Sequence, residues 1–139
     1  MTSQPLENLV KIGKLKKEAV SQSEFDGLVE SGRTRLADAQ RSVLALESRF
    51  DLAYNAAHAL ALAALRWHGY RSENRYLVFQ CLEHTLRMPP DQWRVLSVSH
   101  ERRNAAEYEG RVQIEERLVE DLTQVAQAVL KRVTQLKRS

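Results

Sequence analysis

The sequence predicts an all-α protein, a single-domain bundle of about five to six helices. Three observations carry that prediction. Gly and Pro number only 5 and 3 in 139 residues, while Ala, Leu, Arg, Glu and Gln recur throughout. Apolar residues return at steps of three and four over most of the chain, which aligns them on one helical face. Hydrophobic residues make up 43% and charged residues 28%, and a chain of this length buries roughly two-thirds of its unfolded surface without disulfides or metals to help.

Residues 1–20 are expected as an N-terminal helical extension and residues 21–139 as the bundle. In the extension, Leu6 to about Ala19 reads as a weakly amphipathic helix. Leu6, Leu9, Val10 and Ile12 are its apolar side, and Lys11, Lys14, Lys16 and Lys17 form a solvated basic flank. Ser21-Gln-Ser-Glu24 has capping-box spacing, in which the hydroxyl and the carboxylate each satisfy a free backbone N–H, so a helix starts there. Phe25, Val29, Gly32, Leu36, Ala39, Val43 and Leu46 then keep one stripe, which predicts a long helix over roughly residues 24–47. Gly32 lies on that stripe and permits either close packing or a kink.

The third helix, Phe50 to His68, is apolar nearly all round and should be the central one, with Gly69 supplying the left-handed residue that ends it. A shorter helix follows over residues 73–86, until Met88-Pro-Pro-Asp91 interrupts. Pro90 suits a first helical position, so a fifth helix should run to Tyr108 and stop at Gly110. Ile114, Leu118, Leu122, Val125, Val129, Val133 and Leu136 mark the last helix. Lys131, Arg132, Lys137 and Arg138 at its end read as a solvated cap on the negative helix pole or as an anion-binding tail.

Several function classes are disfavoured. The balance of 21 Lys and Arg against 18 Asp and Glu leaves a net charge of +3, only a mild bias toward anionic partners. The single cysteine, Cys81, excludes an intramolecular disulfide, and the Met1-Thr-Ser-Gln-Pro5 start lacks a secretory layout, so a cytoplasmic setting is expected. The most apolar stretch, Ala59 to Leu65, falls far short of the ~20 residues that span a bilayer. Cys81 and His84 stand at i,i+3, but zinc usually takes about three or four ligands, so neither a metal nor a cofactor is expected. All 5 glycines stand alone, which leaves no phosphate-cradling loop. His58 reads as a hydrogen-bonded core histidine, and Trp67, Tyr70, Tyr76 and Trp93 as core aromatics.

The fifth helix breaks the pattern. Trp93 and Leu96 begin a buried stripe, yet the next positions on it are His100, Arg103 or Asn104, and Glu107 or Tyr108. His100, Asn104 and Tyr108 stack at i,i+4 steps, with Arg103 and Glu107 as a pair beside them. A local rule broken in this way marks a candidate functional strip, in which Arg binds phosphate bidentately while Asn or Tyr donates to the same group. The structural alternative is a surface pair beside a half-buried aromatic.

At these residues the chain resembles the HEPN superfamily. Arg103-Asn-Ala-Ala-Glu-Tyr108 ends the penultimate helix and Tyr54-Asn-Ala-Ala-His58 opens the central one, and the likeness runs from about Phe25 to Val133. The resemblance implies a small helical bundle, a homodimer, and in many members a metal-independent ribonuclease of toxin–antitoxin or other defence systems. In such members an Arg, often followed by Asn and then by a His, faces its counterpart across a basic cleft. Arg103 and Asn104 carry over directly, whereas Tyr108 holds the position of the motif His. An ordinary Tyr at pKa ~10 is a poor general base at neutral pH, so His100, one turn earlier, is the candidate acid or base. The expected site is therefore Arg103, Asn104, Tyr108 and His100 for chemistry, with Arg102, Glu107, Tyr54 and Asn55 binding substrate or phosphate. The implied partners are RNA or a nucleotide, a second copy, and a cognate antitoxin or nucleotidyltransferase. The alternative is a non-catalytic dimeric module that binds a partner protein through the same groove.

Overall fold

A computed structural model of the chain describes residues 3–110 and 114–136. It is an all-α bundle carrying one two-stranded ribbon. In chain order the described elements are α1 (Gln4–Lys11), β1 (Lys16–Lys17), α2 (Gln22–Ala39), α3 (Leu46–Trp67), β2 (Tyr70–Arg71), α4 (Arg75–Gln80), α5 (Leu82–Thr85), α6 (Pro90–Glu109) and α7 (Glu116–Thr134). The central helix is α3, as its composition predicts, and α2 and α7 flank it most extensively, with α4, α5 and α6 against its remaining sides. Phe50, Ala53, Tyr54, Ala57, Leu60, Ala64 and Leu65 of α3 are all buried in one continuous core.

Gly32 resolves in favour of close packing. A Cβ at this position would stand 2.5 Å from Leu60 Cγ, so the absent side chain is what lets α2 approach α3. The expected helix over residues 24–47 nevertheless stops at Ala39. Val43, assigned to its stripe, is 81% exposed in the connecting loop, and Leu46 opens α3 instead. The stop is a tertiary effect: Arg49 of α3 donates from Nε to the Ala39 carbonyl at 2.9 Å, occupying one of the acceptors that a longer helix would use internally.

The first helix is also shorter than its lysine-flanked pattern suggests. It ends at Lys11, Gly13 adopts a left-handed φ of 77°, and Lys16–Lys17 pair antiparallel with Tyr70–Arg71 rather than continuing a helix. Leu6 and Leu15 are buried in the common core, so the expected extension is docked on the bundle. The clamp is Arg66, only 1% exposed near the end of α3. Its guanidinium donates to Glu24 Oε1 at 2.6 Å and to the carbonyls of Glu18 at 3.1 Å, Ala19 at 2.5 Å and Tyr70 at 3.3 Å. Glu24 also accepts from Arg71. Only half of the expected capping box forms: Ser21 Oγ accepts from the Glu24 amide at 3.3 Å, while the Glu24 carboxylate serves the two arginines.

The helix expected over residues 73–86 is broken at Cys81 into α4 and α5, with Asn74 Oδ1 capping α4 by accepting from the Leu77 amide at 3.0 Å. The fifth helix is as expected, beginning at Pro90 and ending where Gly110 takes φ 69°. Ile114 and Leu136 lie just outside α7 but still pack on the core. Among the described residues no helix is long and apolar enough to cross a membrane.

Candidate functional site

The polar strip of α6 is aimed at the N-terminal half of α3. In α6 only Leu96 and Ser99 are fully buried, so the stripe ends where the sequence says it does. What fills the space is Tyr54. Its ring is buried between Phe50 and Phe79, with centroids 6.3 and 5.5 Å away, and its hydroxyl lies 2.9 Å from His100 Nδ1. On the other side of the imidazole, Nε2 is 3.2 Å from the Asn104 amide nitrogen. A buried phenol thus fixes the histidine's orientation from one side and a helical amide from the other.

Two guanidiniums meet the same tyrosine. The Arg103 carbon stands 5.1 Å from the ring centroid and that of Arg75, at the start of α4, 5.7 Å. Bringing two cations together costs Coulomb energy, which the negative ring face offsets in part. Local partners offset more: Arg103 pairs with Glu107 at 3.0 Å, and Arg75 donates to Asn55 Oδ1 at 3.0 Å. Tyr76 follows Arg75 and places its ring 5.5 Å from that of His100.

These surroundings set the protonation states. Burial, followed by the nearby Arg75 and Arg103 charges, pushes His58 down to about 4. The His100 pKa is lowered by burial first, then by Arg103 and Arg75. Burial raises that of the Tyr54 phenol, against the pull of both arginines. At neutral pH both imidazoles are therefore uncharged and Tyr54 keeps its proton. The positive charge of the site belongs to Arg75 and Arg103 alone.

Charge is not spread evenly. A cavity of about 320 Å³ opens on the far side of Arg103, lined by Glu47, Phe50, Asp51, Asn55, Ala106, Glu107 and Ile114. Three carboxylates against one guanidinium make it unfavourable for an anion. Toward Arg75 and His100 the neighbours Tyr54, His58 and Tyr76 add no negative charge, and the Glu101 carboxylate acts on His100 only as the least of its influences.

The structure thus gathers Tyr54, Asn55, His100, Arg103, Asn104 and Glu107 of the expected site. It does not gather Tyr108 or Arg102. Residues Glu107 to Gly110 form an exposed final turn, and Tyr108 there is 77% exposed. Arg102 projects to another face and reaches Glu115 at 3.3 Å. Arg75, Tyr76 and His58 were not among the expected site residues. His58, one helical turn beyond Tyr54, is half-buried with its ring edge-on to Phe79 at 6.0 Å, and it stands near enough to both arginines to feel their charge. Its i,i+4 spacing from Tyr54 was a usable signal, whereas Arg75 carries none, because its approach to Asn55 depends on how α4 docks.

Among the described residues no group of three or more His, Cys, Asp or Glu side chains is placed to hold a metal ion. Cys81 is buried, and burial pushes its thiol up to about 11. Compared with family models, curated proteins and solved structures, the chain finds no match.

Proposed function

We propose that the protein binds RNA at the Tyr54–His100–Arg103 site and cleaves it without a metal, as the resemblance to HEPN ribonucleases implies. The observation that carries this reading is the convergence of Arg75 and Arg103 on one buried tyrosine whose hydroxyl orients a neutral histidine. Two guanidiniums suit a phosphodiester, holding its non-bridging oxygens and stabilising the charge that grows on them during transfer. With Nδ1 held by Tyr54, Nε2 exchanges the Asn104 amide for substrate, and neutral His100 there accepts the proton of the ribose 2′-hydroxyl, whose oxygen attacks the adjacent phosphorus. The bond to the 5′ oxygen breaks, and the imidazolium returns the proton to that leaving oxygen. The products are a 2′,3′-cyclic phosphate and a free 5′-hydroxyl. Asn104 positions His100, while Tyr108 and Arg102 take no part.

The same resemblance extends the proposal to a homodimer with two facing sites, acting in the cytoplasm within a toxin–antitoxin or defence system and restrained by an antitoxin or nucleotidyltransferase. A second reading, a non-catalytic module, draws support from Glu47, Asp51 and Glu107, which suit a basic segment of a partner protein beside Arg103.

Incubating the purified protein with total cellular RNA in EDTA tests the proposal. Cyclic-phosphate ends should appear with wild type and with Tyr108→Ala, fall at least about a hundredfold with His100→Ala, and vanish with Arg103→Ala. Loss of cleavage in Tyr108→Ala would return the chemistry to the exposed turn. Absence of both cleavage and RNA retention in the wild type would leave the partner-binding module.

A further inference from the structure

A cavity of about 770 Å³ lies away from that site and shares no lining residue with the cavity beside Arg103. It forms where the end of α5 meets the last turns of α7. Arg87, Lys131 and Arg132 line it, and among the described residues no carboxylate does. The bland account of such cations is that they cap the negative ends of helices, and Arg132 does so. Its Nη1 donates to the carbonyls of Leu86 at 2.9 Å and Arg87 at 3.0 Å. A helix end, however, amounts to only about half a charge, against three full cations. Lys131 and Arg87 make no ion pair among the described residues.

Two further features point to a ligand. Thr85 lines the pocket, and its hydroxyl, closed off from solvent in this arrangement, finds no hydrogen-bond partner among the described residues. Such an orphan usually costs about 1–3 kcal/mol. Arg87 is also the one non-glycine residue among those described with a positive φ, 55°, and the Arg132 bond to its carbonyl supports this conformation. Backbone in this region is disfavoured for a residue that bears a Cβ, so the loop holds Arg87 there at a local cost.

We propose that this pocket binds a small molecule bearing a phosphate or diphosphate group, with the anion among Arg87, Lys131 and Arg132 and the organic portion against Leu86 and Leu136. Three cations with no carboxylate among the described lining favour a multiply charged anion over a single carboxylate. The mixed wall and the volume fall within the range of small-molecule sites.

Calorimetric titration of the full chain with inorganic pyrophosphate provides the test, since that probe carries the anion without the organic part. Saturable binding is expected with a component that Lys131→Gln and Arg87→Gly each weaken about tenfold or more and that persists in Arg103→Ala, whatever that variant removes at the other site. Arg87→Gly keeps the left-handed backbone without strain, so its melting temperature should hold or rise while affinity falls. That combination separates a ligand site from a structural cap. No saturable heat up to roughly 10 mM pyrophosphate, or binding lost in Arg103→Ala and retained in Lys131→Gln, would overturn the proposal. Because Arg103→Ala is the variant that abolishes RNA cleavage, failure here and failure of the ribonuclease reading are separately visible.

Discussion

The pKa values of His58 and His100 are moved in the same direction and for the same reason. Each is withdrawn from water and faces Arg75 and Arg103, so each resists taking a proton. For His58 the pKa falls from 6.5 to about 4 on folding. The unfolded chain therefore binds a proton that the folded chain refuses between those values. Its contribution to stability is fully present above the unfolded pKa and is lost progressively as pH falls through the folded one, by as much as about 3 kcal/mol. NMR titration should show the His58 ring changing charge near pH 4, and Arg75→Gln should move it upward by removing one of the opposing charges. A ring that titrates at the ordinary histidine value, in wild type and variant alike, would contradict this account. Very little of this was legible in the sequence, because His58 reads as a core residue until α4 brings Arg75 beside it.

Helix pairing shows the opposite balance. The Phe25, Val29, Gly32, Leu36 and Ala39 stripe places Gly32 toward the core, and the structure sets it against Leu60. Gly32→Ala gains about 1 kcal/mol of helix propensity. It also places a Cβ 2.5 Å from Leu60 Cγ, and overpacking a fitted core costs typically about 1–3 kcal/mol. Overpacking wins, so urea denaturation should find the variant destabilised by up to about 2 kcal/mol, and the double variant Gly32→Ala with Leu60→Ala should show non-additive recovery. A stabilised single variant would mean that α2 and α3 can separate freely. Helix ends were less legible than helix faces: Arg49 stops α2 at Ala39, and Glu24 leaves its capping role for Arg66 and Arg71. Periodicity carries no information about side chains that arrive from elsewhere in the chain.

For the whole molecule, the segment before α2 is an integral part of the bundle. Leu6 and Leu15 are buried, Tyr70 donates to Glu7, and Arg66 holds the carbonyls of Glu18 and Ala19. Deleting residues 1–20 removes two core leucines, worth roughly 1.5–3 kcal/mol each, and leaves the Arg66 guanidinium short of acceptors at a buried position. The truncated chain should melt far below the full chain or fail to fold when followed by circular dichroism. An unchanged melting temperature would mark the segment as a dispensable extension.

The helical class, the central place of α3, the position of Gly32 on the apolar stripe and the polar strip from His100 to Glu107 are all readable in the chain itself. Each depends on spacing along one helix, which the 3.6-residue period makes readable without a fold. Helix docking is what sets Tyr54 against His100, joins Arg75 to Arg103, turns Tyr108 to solvent, and brings Arg87, Lys131 and Arg132 to a common pocket. These are meetings between residues far apart in the chain, fixed by how the helices dock.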